Sequence, residues 1–266
     1  MYDKFKRKIN YLRISVTDRC DLRCIYCMPE CGVDLMSHKD ILSFEEIFDV
    51  VKFGTDHGID KIRITGGEPL VRKGIVDLVS MIAKIPQIKD LAMTTNGALL
   101  DQFAQPLADA GLQRVNISLD TIDEKQYKRI TRVGDLANVL KGINAAQKAG
   151  LNPIKINCVI KDSPIEKDAR EVAEFCDMND LEVRFIKEMD LETGYFARVI
   201  GGDGGHCASC NRLRLTANGK LKPCLFSDLE FDIRELGVEQ AYSKAIGFKP
   251  KSGTENKVNK FSNIGG

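Results

Sequence analysis

The chain lacks any apolar run near the length of a membrane span, and residues 1–10 lack the apolar core of a secretory leader. Both absences predict a cytoplasmic protein without a membrane partner. An excess of either charge is missing as well. Its 39 Lys and Arg oppose 38 Asp and Glu, a net charge of +1, which argues against bulk attraction to nucleic acid or a membrane surface. There is no tandem repeat beyond a strand–helix rhythm. The rest is ordinary: 266 residues, 43% of them hydrophobic, enough for one large α/β domain with or without a small appendage.

Cysteine, by contrast, is abundant. Oxidised domains that use many cysteines are usually much shorter than this chain. The count of nine is odd, and six of the nine fall into two clusters. That pattern favours metal ligation over a disulfide framework. Cys158 and Cys176 sit in apolar strand and helix patterns and read as core thiols. His38 and His57 are isolated and read as surface residues.

Short runs rich in Ile, Val or Leu alternate with amphipathic runs. The former predict strands over 11–17, 61–65, 91–95, 114–119, 154–160 and 182–188. Between them, Ser43 predicts an N-cap with Glu45 and Glu46 in the first turn of a helix. Further helices are predicted over 73–84, 100–110, 136–149 and 166–178, with Gly58, Gly111 and Gly150 at helix stops. Six βα units in a row imply a parallel sheet. Six strands are too few for the eight-stranded barrel, so the predicted fold is a partial (βα)6 parallel barrel over 1–190. After Met189 the rhythm stops. Residues 194–205 read as a glycine-rich loop, and 191–266 as a C-terminal segment carrying the second cysteine cluster. Residues 251–260 have little apolar content and are predicted to be ordered by docking.

Cys20, Cys24 and Cys27 follow the first strand directly, at the sheet edge where α/β folds hold ligands. Three thiolates leave one iron of a [4Fe–4S] cluster open to a substrate or cofactor. The alternative is structural zinc, with Cys31 as a fourth ligand. After the second strand comes Gly66-Gly67-Glu68-Pro69, whose two glycines allow close backbone approach to a ligand.

The spacing Cys-x3-Cys-x2-Cys, with Tyr26 before the last cysteine, resembles the motif of the radical S-adenosylmethionine (SAM) superfamily over residues 11–190. Gly66, Gly67, Glu68 and Pro69 resemble its GGEP motif. The resemblance implies one [4Fe–4S] cluster on Cys20, Cys24 and Cys27. It also implies SAM contacts at Tyr26, Gly66, Gly67, Glu68, Thr95, Ser118 and Met189. Thr95 lies within Thr94-Thr95-Asn96-Gly97, and Ser118 opens Ser118-Leu119-Asp120. The implied chemistry is one-electron cleavage of SAM to methionine and a 5′-deoxyadenosyl radical, which takes hydrogen from an unactivated carbon.

Cys207, Cys210 and Cys224 form the second set. On residue types alone, zinc with His206 as fourth ligand stands beside a second cluster. In context, the triad is similar to that of the molybdenum cofactor biosynthesis protein A family. The stretches 12–20, 27–29, 61–69 and 210–215, and the Gly265-Gly266 ending, resemble that family too. The resemblance implies a second [4Fe–4S] cluster that contacts GTP, and a lyase that converts GTP to (8S)-3′,8-cyclo-7,8-dihydroguanosine 5′-triphosphate. It implies an external electron donor and a downstream molybdopterin-pathway enzyme as partners. Catalytic roles then fall to Arg13, as proton source or guide of the reduction, to Arg212, and to a tail, Gly265-Gly266, that reaches the active site.

The basic residues carry an independent argument. Lys61 and Arg63 alternate with Ile62 and Ile64, Arg13 with Leu12 and Ile14, and Lys155 and Asn157 with Ile154, Ile156 and Cys158. A parallel sheet covered by helices has no solvated outer face, so the isoleucines turn outward to the helices and the cations inward. Buried unpaired cations are costly, so the lumen is predicted to hold an anion. Arg13, Lys61, Arg63, Lys155, Arg184, Arg212 and Arg214 suit a triphosphate and a purine. In the resembled family, matching positions bind GTP.

The pattern departs from that family in one respect. Met189 and Cys207 are separated by only 17 residues, and the stretch after Cys224 is also short, where the family usually carries a longer wall beside the GTP site. Two other readings stand beside the GTP enzyme. One is a peptide-modifying radical SAM enzyme, although few residues precede the first strand for a peptide-docking module. The other is a non-enzymatic iron–sulfur or zinc protein, in which the GGEP motif and lumen cations have no role.

Overall fold

The computed structural model describes residues 1–264. Six parallel strands alternate with helices: β1 (Tyr11–Ser15), β2 (Lys61–Thr65), β3 (Asp90–Thr95), β4 (Arg114–Ser118), β5 (Lys155–Ile160) and β6 (Glu182–Lys187). The helices between them are α1 (Phe44–Asp56), α2 (Ile75–Ala83), α3 (Leu100–Asp109), α4 (Glu124–Thr131), α5 (Leu136–Lys148) and α6 (Lys167–Met178). The six predicted strands and five predicted helices are all present, displaced by at most two residues at their ends. Ser43 caps α1 through a full capping box: its hydroxyl accepts from Glu46 N at 3.2 Å, and Glu46 Oε2 accepts from Ser43 N at 2.7 Å. Helix α4 is an addition. Its mean hydropathy is low, so its pattern was silent, but Asp123 caps it and it buries Tyr127 and Thr131.

The C-terminal segment extends the same sheet. Strand β7 (Arg212–Leu215) pairs in parallel with the free edge of β1, and β8 (Lys220–Lys222) and β9 (Phe231–Asp232) follow antiparallel. The sheet order is β6-β5-β4-β3-β2-β1-β7-β8-β9. These three strands are short and were not predicted, because their pairing depends on an edge some 200 positions away. Helices α7 (Ile233–Leu236) and α8 (Val238–Gly247) pack behind them, and α9 (Phe261–Ile264) closes the described chain. Tyr242 of α8 is fully buried and its hydroxyl donates to Val50 O at 3.1 Å. Gly54 makes room for it, since a Cβ there would lie 2.4 Å from that hydroxyl oxygen.

The outward faces of the strands, Leu12, Ile14, Ile62 and Ile64 among them, join one large apolar core under the helices. A smaller core of Leu191, Leu225, Phe226 and Ile264 joins the connector to the C-terminal segment. Residues 251–260 dock as expected: Asn256 is fully buried, donates through Nδ2 to Leu225 O at 2.8 Å, and through its amide to Leu191 O at 2.7 Å. The glycine-rich connector is also anchored. Ile200 exchanges two 3.0 Å backbone bonds with Phe185 and so covers the outer edge of β6. Among the described residues no helix is long and apolar enough to cross a membrane.

Candidate active site

The carboxyl ends of β1 to β6 surround a cavity of about 220 Å³. Cys20, Cys24 and Cys27 line it, with Tyr26, Gly66, Gly67, Thr95, Asn96, Ser118, Asn157 and Met189. Most predicted SAM contacts are thus brought together. Burial pushes the Cys20 and Cys24 thiols up to about 12, and raises Cys27. The carboxylates Glu68, Asp21 and Asp120 add to the effect at Cys20 and Cys24. Thiolates in this setting need positive charge from bound iron. Among the described residues, no three His, Cys, Asp or Glu side chains are set to hold a single metal ion. Three thiols spaced around a common cavity suit a multi-iron cluster, in which each binds a different iron.

Glu68 is not among the residues that line the cavity. It is buried behind the cavity wall, where its carboxylate accepts from Thr95 Oγ1 at 2.7 Å, Asn96 N at 2.7 Å and Leu70 N at 3.0 Å. Burial lifts its carboxyl to about 7 against these hydrogen bonds. Glu68 therefore ties the end of β2 to the end of β3. The two glycines, which line the cavity, also lie close against another part of the chain. A Cβ on Gly67 would lie 2.4 Å from Arg19 O, and one on Gly66 would lie 2.9 Å from Thr17 O. Gly67 N donates to Thr17 O at 2.7 Å and Glu68 N to Arg19 O at 2.8 Å. The close approach is to the loop that leads into Cys20.

Two further polar residues, Asn96 and Asp120, hold this wall. Asn96 donates through Nδ2 to Asp21 Oδ1 at 2.7 Å, beside Cys20. Asp120 accepts from the Tyr26 hydroxyl at 2.8 Å and from Val159 N at 2.8 Å, and burial raises its carboxyl to about 6. A strand-end position in a βα unit was the available signal for both.

A second cavity of about 160 Å³ shares Ile186 and Met189 with the first. Cys207, Cys210 and Cys224 line it with His206, Phe196, Phe226, Arg13, Arg212 and Arg214. The sheet register builds its cationic wall. Arg13 lies opposite Arg63 on β2 and Arg214 on β7, and Tyr11 lies opposite Lys61 and Arg212 one row below. Burial, then the Arg214 charge, lowers the proton affinity of Arg13 well below its ordinary value. Burial brings Arg214 down to about 10, with Arg212 adding to the effect. Such crowding calls for an anion.

The other four predicted cations line neither cavity. Lys61 is exposed because β2 begins at the open amino-terminal mouth of the sheet. Lys155 is ion-paired with Glu182, its direct neighbour on β6. Arg63 is buried in the same row as Arg13, Arg184 is half-buried, and the Nε of each is buried with no hydrogen-bond partner, as is Nδ2 of Asn116. Buried donors of this kind fit an anionic, hydrogen-bonding ligand. Arg114, which was not singled out, forms a bidentate pair with Asp90 at 2.9 and 2.7 Å. Gly265 and Gly266 lie outside the described residues.

The open-sheet fold, the cavity at its strand ends and the first thiol triad are those of a radical SAM protein. The Radical SAM superfamily matches residues 14–176, and Molybdenum Cofactor Synthesis C matches residues 202–261. The GTP 3′,8-cyclase of Thermodesulfovibrio yellowstonii is 40% identical over 322 aligned positions, covering 100% of each chain. That of Petrotoga mobilis is 41% identical, covering 95% of this chain and 94% of its own. That of Moorella thermoacetica is 40% identical, covering 94% of each. Among solved structures, Streptococcus suis SuiB bound to S-adenosylmethionine matches with a TM-score of 0.56 and 23% identity, over 71% of this chain and 43% of that one. Methylornithine synthase matches with a TM-score of 0.55 and 15% identity, over 76% and 61%. This chain belongs to the radical SAM superfamily and, within it, to the family of the GTP 3′,8-cyclases. The first alignment spans 322 positions against 266 residues here, so the relative carries several dozen positions that this chain lacks.

Proposed function

We propose that the protein is a radical SAM GTP 3′,8-cyclase acting in molybdenum cofactor biosynthesis, and that it forms (8S)-3′,8-cyclo-7,8-dihydroguanosine 5′-triphosphate. The observation that carries this reading is the pair of adjoining cavities, one with a thiol triad and the glycine loop, the other with a second triad and three arginines. Two [4Fe–4S] clusters and SAM are its cofactors. When bound, the first cluster and SAM supply one-electron cleavage and hydrogen abstraction.

The chain's own residues do the remaining work. Tyr26, Thr95 and Ser118 form the wall against which SAM is held. Met189, common to both cavities, separates it from the nucleotide. Arg212 and Arg214 bind the anionic substrate, with Arg63 and Arg184 offering further donors. Arg13, whose proton affinity is lowered by burial and by its arginine neighbours, is assigned to proton delivery at the nucleotide. The cavity walls limit water at the reacting carbon. Segment 1–190 is assigned to SAM chemistry and 191–266 to the substrate side, with Gly265-Gly266 as a contributor. An external electron donor and a downstream pathway enzyme are the proposed partners, and the cytoplasm the proposed location.

Anaerobic incubation with SAM, a reductant and GTP tests the proposal. It should yield 5′-deoxyadenosine together with a GTP-derived cyclic product. Formation of 5′-deoxyadenosine without any product from GTP would remove the cyclase assignment and leave the superfamily in place.

A further inference from the structure

Lys249 follows α8 and is only 1% exposed. Its ammonium donates to Arg212 O at 2.6 Å and to Pro223 O. Arg212 lies two residues beyond Cys210, and Pro223 directly precedes Cys224. One buried cation therefore spans the two chain segments that carry these ligands. Nearby Arg7 ties down the third: its guanidinium donates to Cys207 O at 2.7 Å and to Pro250 O at 2.6 Å. Arg7 has Asp3 as its counter-charge, at 2.6 Å. Lys249, besides the two carbonyls, hydrogen-bonds the Cys210 thiol itself.

A buried ammonium is costly unless an anion lies near it. The groups in place to provide one are the Cys210 and Cys224 thiols.

We infer that Lys249 is a positioning residue for the second cluster, a buried cation that offsets the charge of its thiolates and raises its reduction potential. The inference rests on the proposed assignment of that cluster to Cys207, Cys210 and Cys224. Reduction adds negative charge to a cluster, and a fixed cation in a medium of low dielectric stabilises the reduced form. Groups behind the ligands tune a metal site in this way generally.

The test compares the reconstituted wild type with Lys249→Gln and Lys249→Arg, by iron content and by potentiometric titration followed by electron paramagnetic resonance. Gln keeps amide donors for the carbonyls but removes the charge, and Arg keeps the charge. In wild type and Gln, about eight irons per chain are expected from two four-iron clusters. The second cluster's potential should fall in Gln and stay near the wild-type value in Arg. The first cluster's potential should be the same in all three. Loss of the second cluster in Gln, with retention in Arg, would likewise show that the charge holds the thiolates. Equal second-cluster potentials in wild type and Gln would overturn the inference, as would loss of the cluster in both variants. A wild-type count near four would instead defeat the cluster assignment, and the inference would fall with it.

Discussion

The Tyr26 hydroxyl donates to Asp120 Oδ2 at 2.8 Å, joining the first cysteine loop to the end of β4. The other carboxylate oxygen accepts from Val159 N, so Asp120 also ties β4 to β5. Asp120→Ala leaves two buried donors without a partner and should cost about 2–4 kcal/mol in urea unfolding. Asp120→Asn can satisfy both groups and should cost much less. SAM binding should weaken in the Ala variant while GTP binding is retained. Equal unfolding midpoints for Ala and wild type would show that this contact contributes nothing.

Gly67→Ala should disrupt the first cluster. The added carbon would meet Arg19 O, Arg19 C and Asp18 O, all within 2.9 Å and all backbone, so the loop before Cys20 must move. Anaerobic reconstitution is then expected to give about four irons per chain in place of about eight. Full iron content in this variant would mean that the loop tolerates the shift.

The Glu68 carboxyl supplies a pH dependence. Burial raises it to about 7 in the folded chain, against an ordinary value of 4.5. The folded state therefore binds this proton more tightly than the unfolded state. The stability it contributes is complete below pH 4.5 and is lost as pH rises through about 7. The loss amounts to about 3 kcal/mol. Glu68→Gln has no such proton. In the cluster-free chain, the stability of the wild type should therefore fall relative to that of Gln from pH 5 to pH 8. A gap independent of pH would contradict the raised value.

Arg212 is the arginine of the second cavity whose guanidinium also holds the connector, through Asp203 O at 2.7 Å. Arg212→Ala should raise KM for GTP by at least about tenfold, the loss of one charge-assisted contact. SAM cleavage uncoupled from GTP should persist. Unchanged GTP turnover would sink the placement of this side chain.

Much of the fold was legible because its signals are local. Strand Lys61–Thr65 was bounded correctly from its alternation, and Ser43 with Glu46 marked the start of α1 at the right residue. The short strands β7, β8 and β9 carry too few residues for a pattern, and they exist because β1 has a free edge to pair with. The polarity of α4 hid it, since its helicity depends on capping and a narrow buried stripe. Asn96 and Asp120 were visible as strand-end residues, but nothing in the sequence distinguished them from their neighbours.

The sequence by itself determined the two cysteine triads, the glycine loop and the parallel βα order, because each is set by spacing or periodicity along the chain. Tertiary structure alone decided what those features meet. Gly67 meets the carbonyl of Arg19, Lys61 opens to solvent, and Lys155 pairs with Glu182. Arg63, Arg13 and Arg214 come into one row from three separate parts of the chain, and Lys249 is buried between two ligand segments. Alternation along a strand tells which face a side chain takes. Its neighbours across the sheet follow from register and packing, which depend on contacts far apart in sequence.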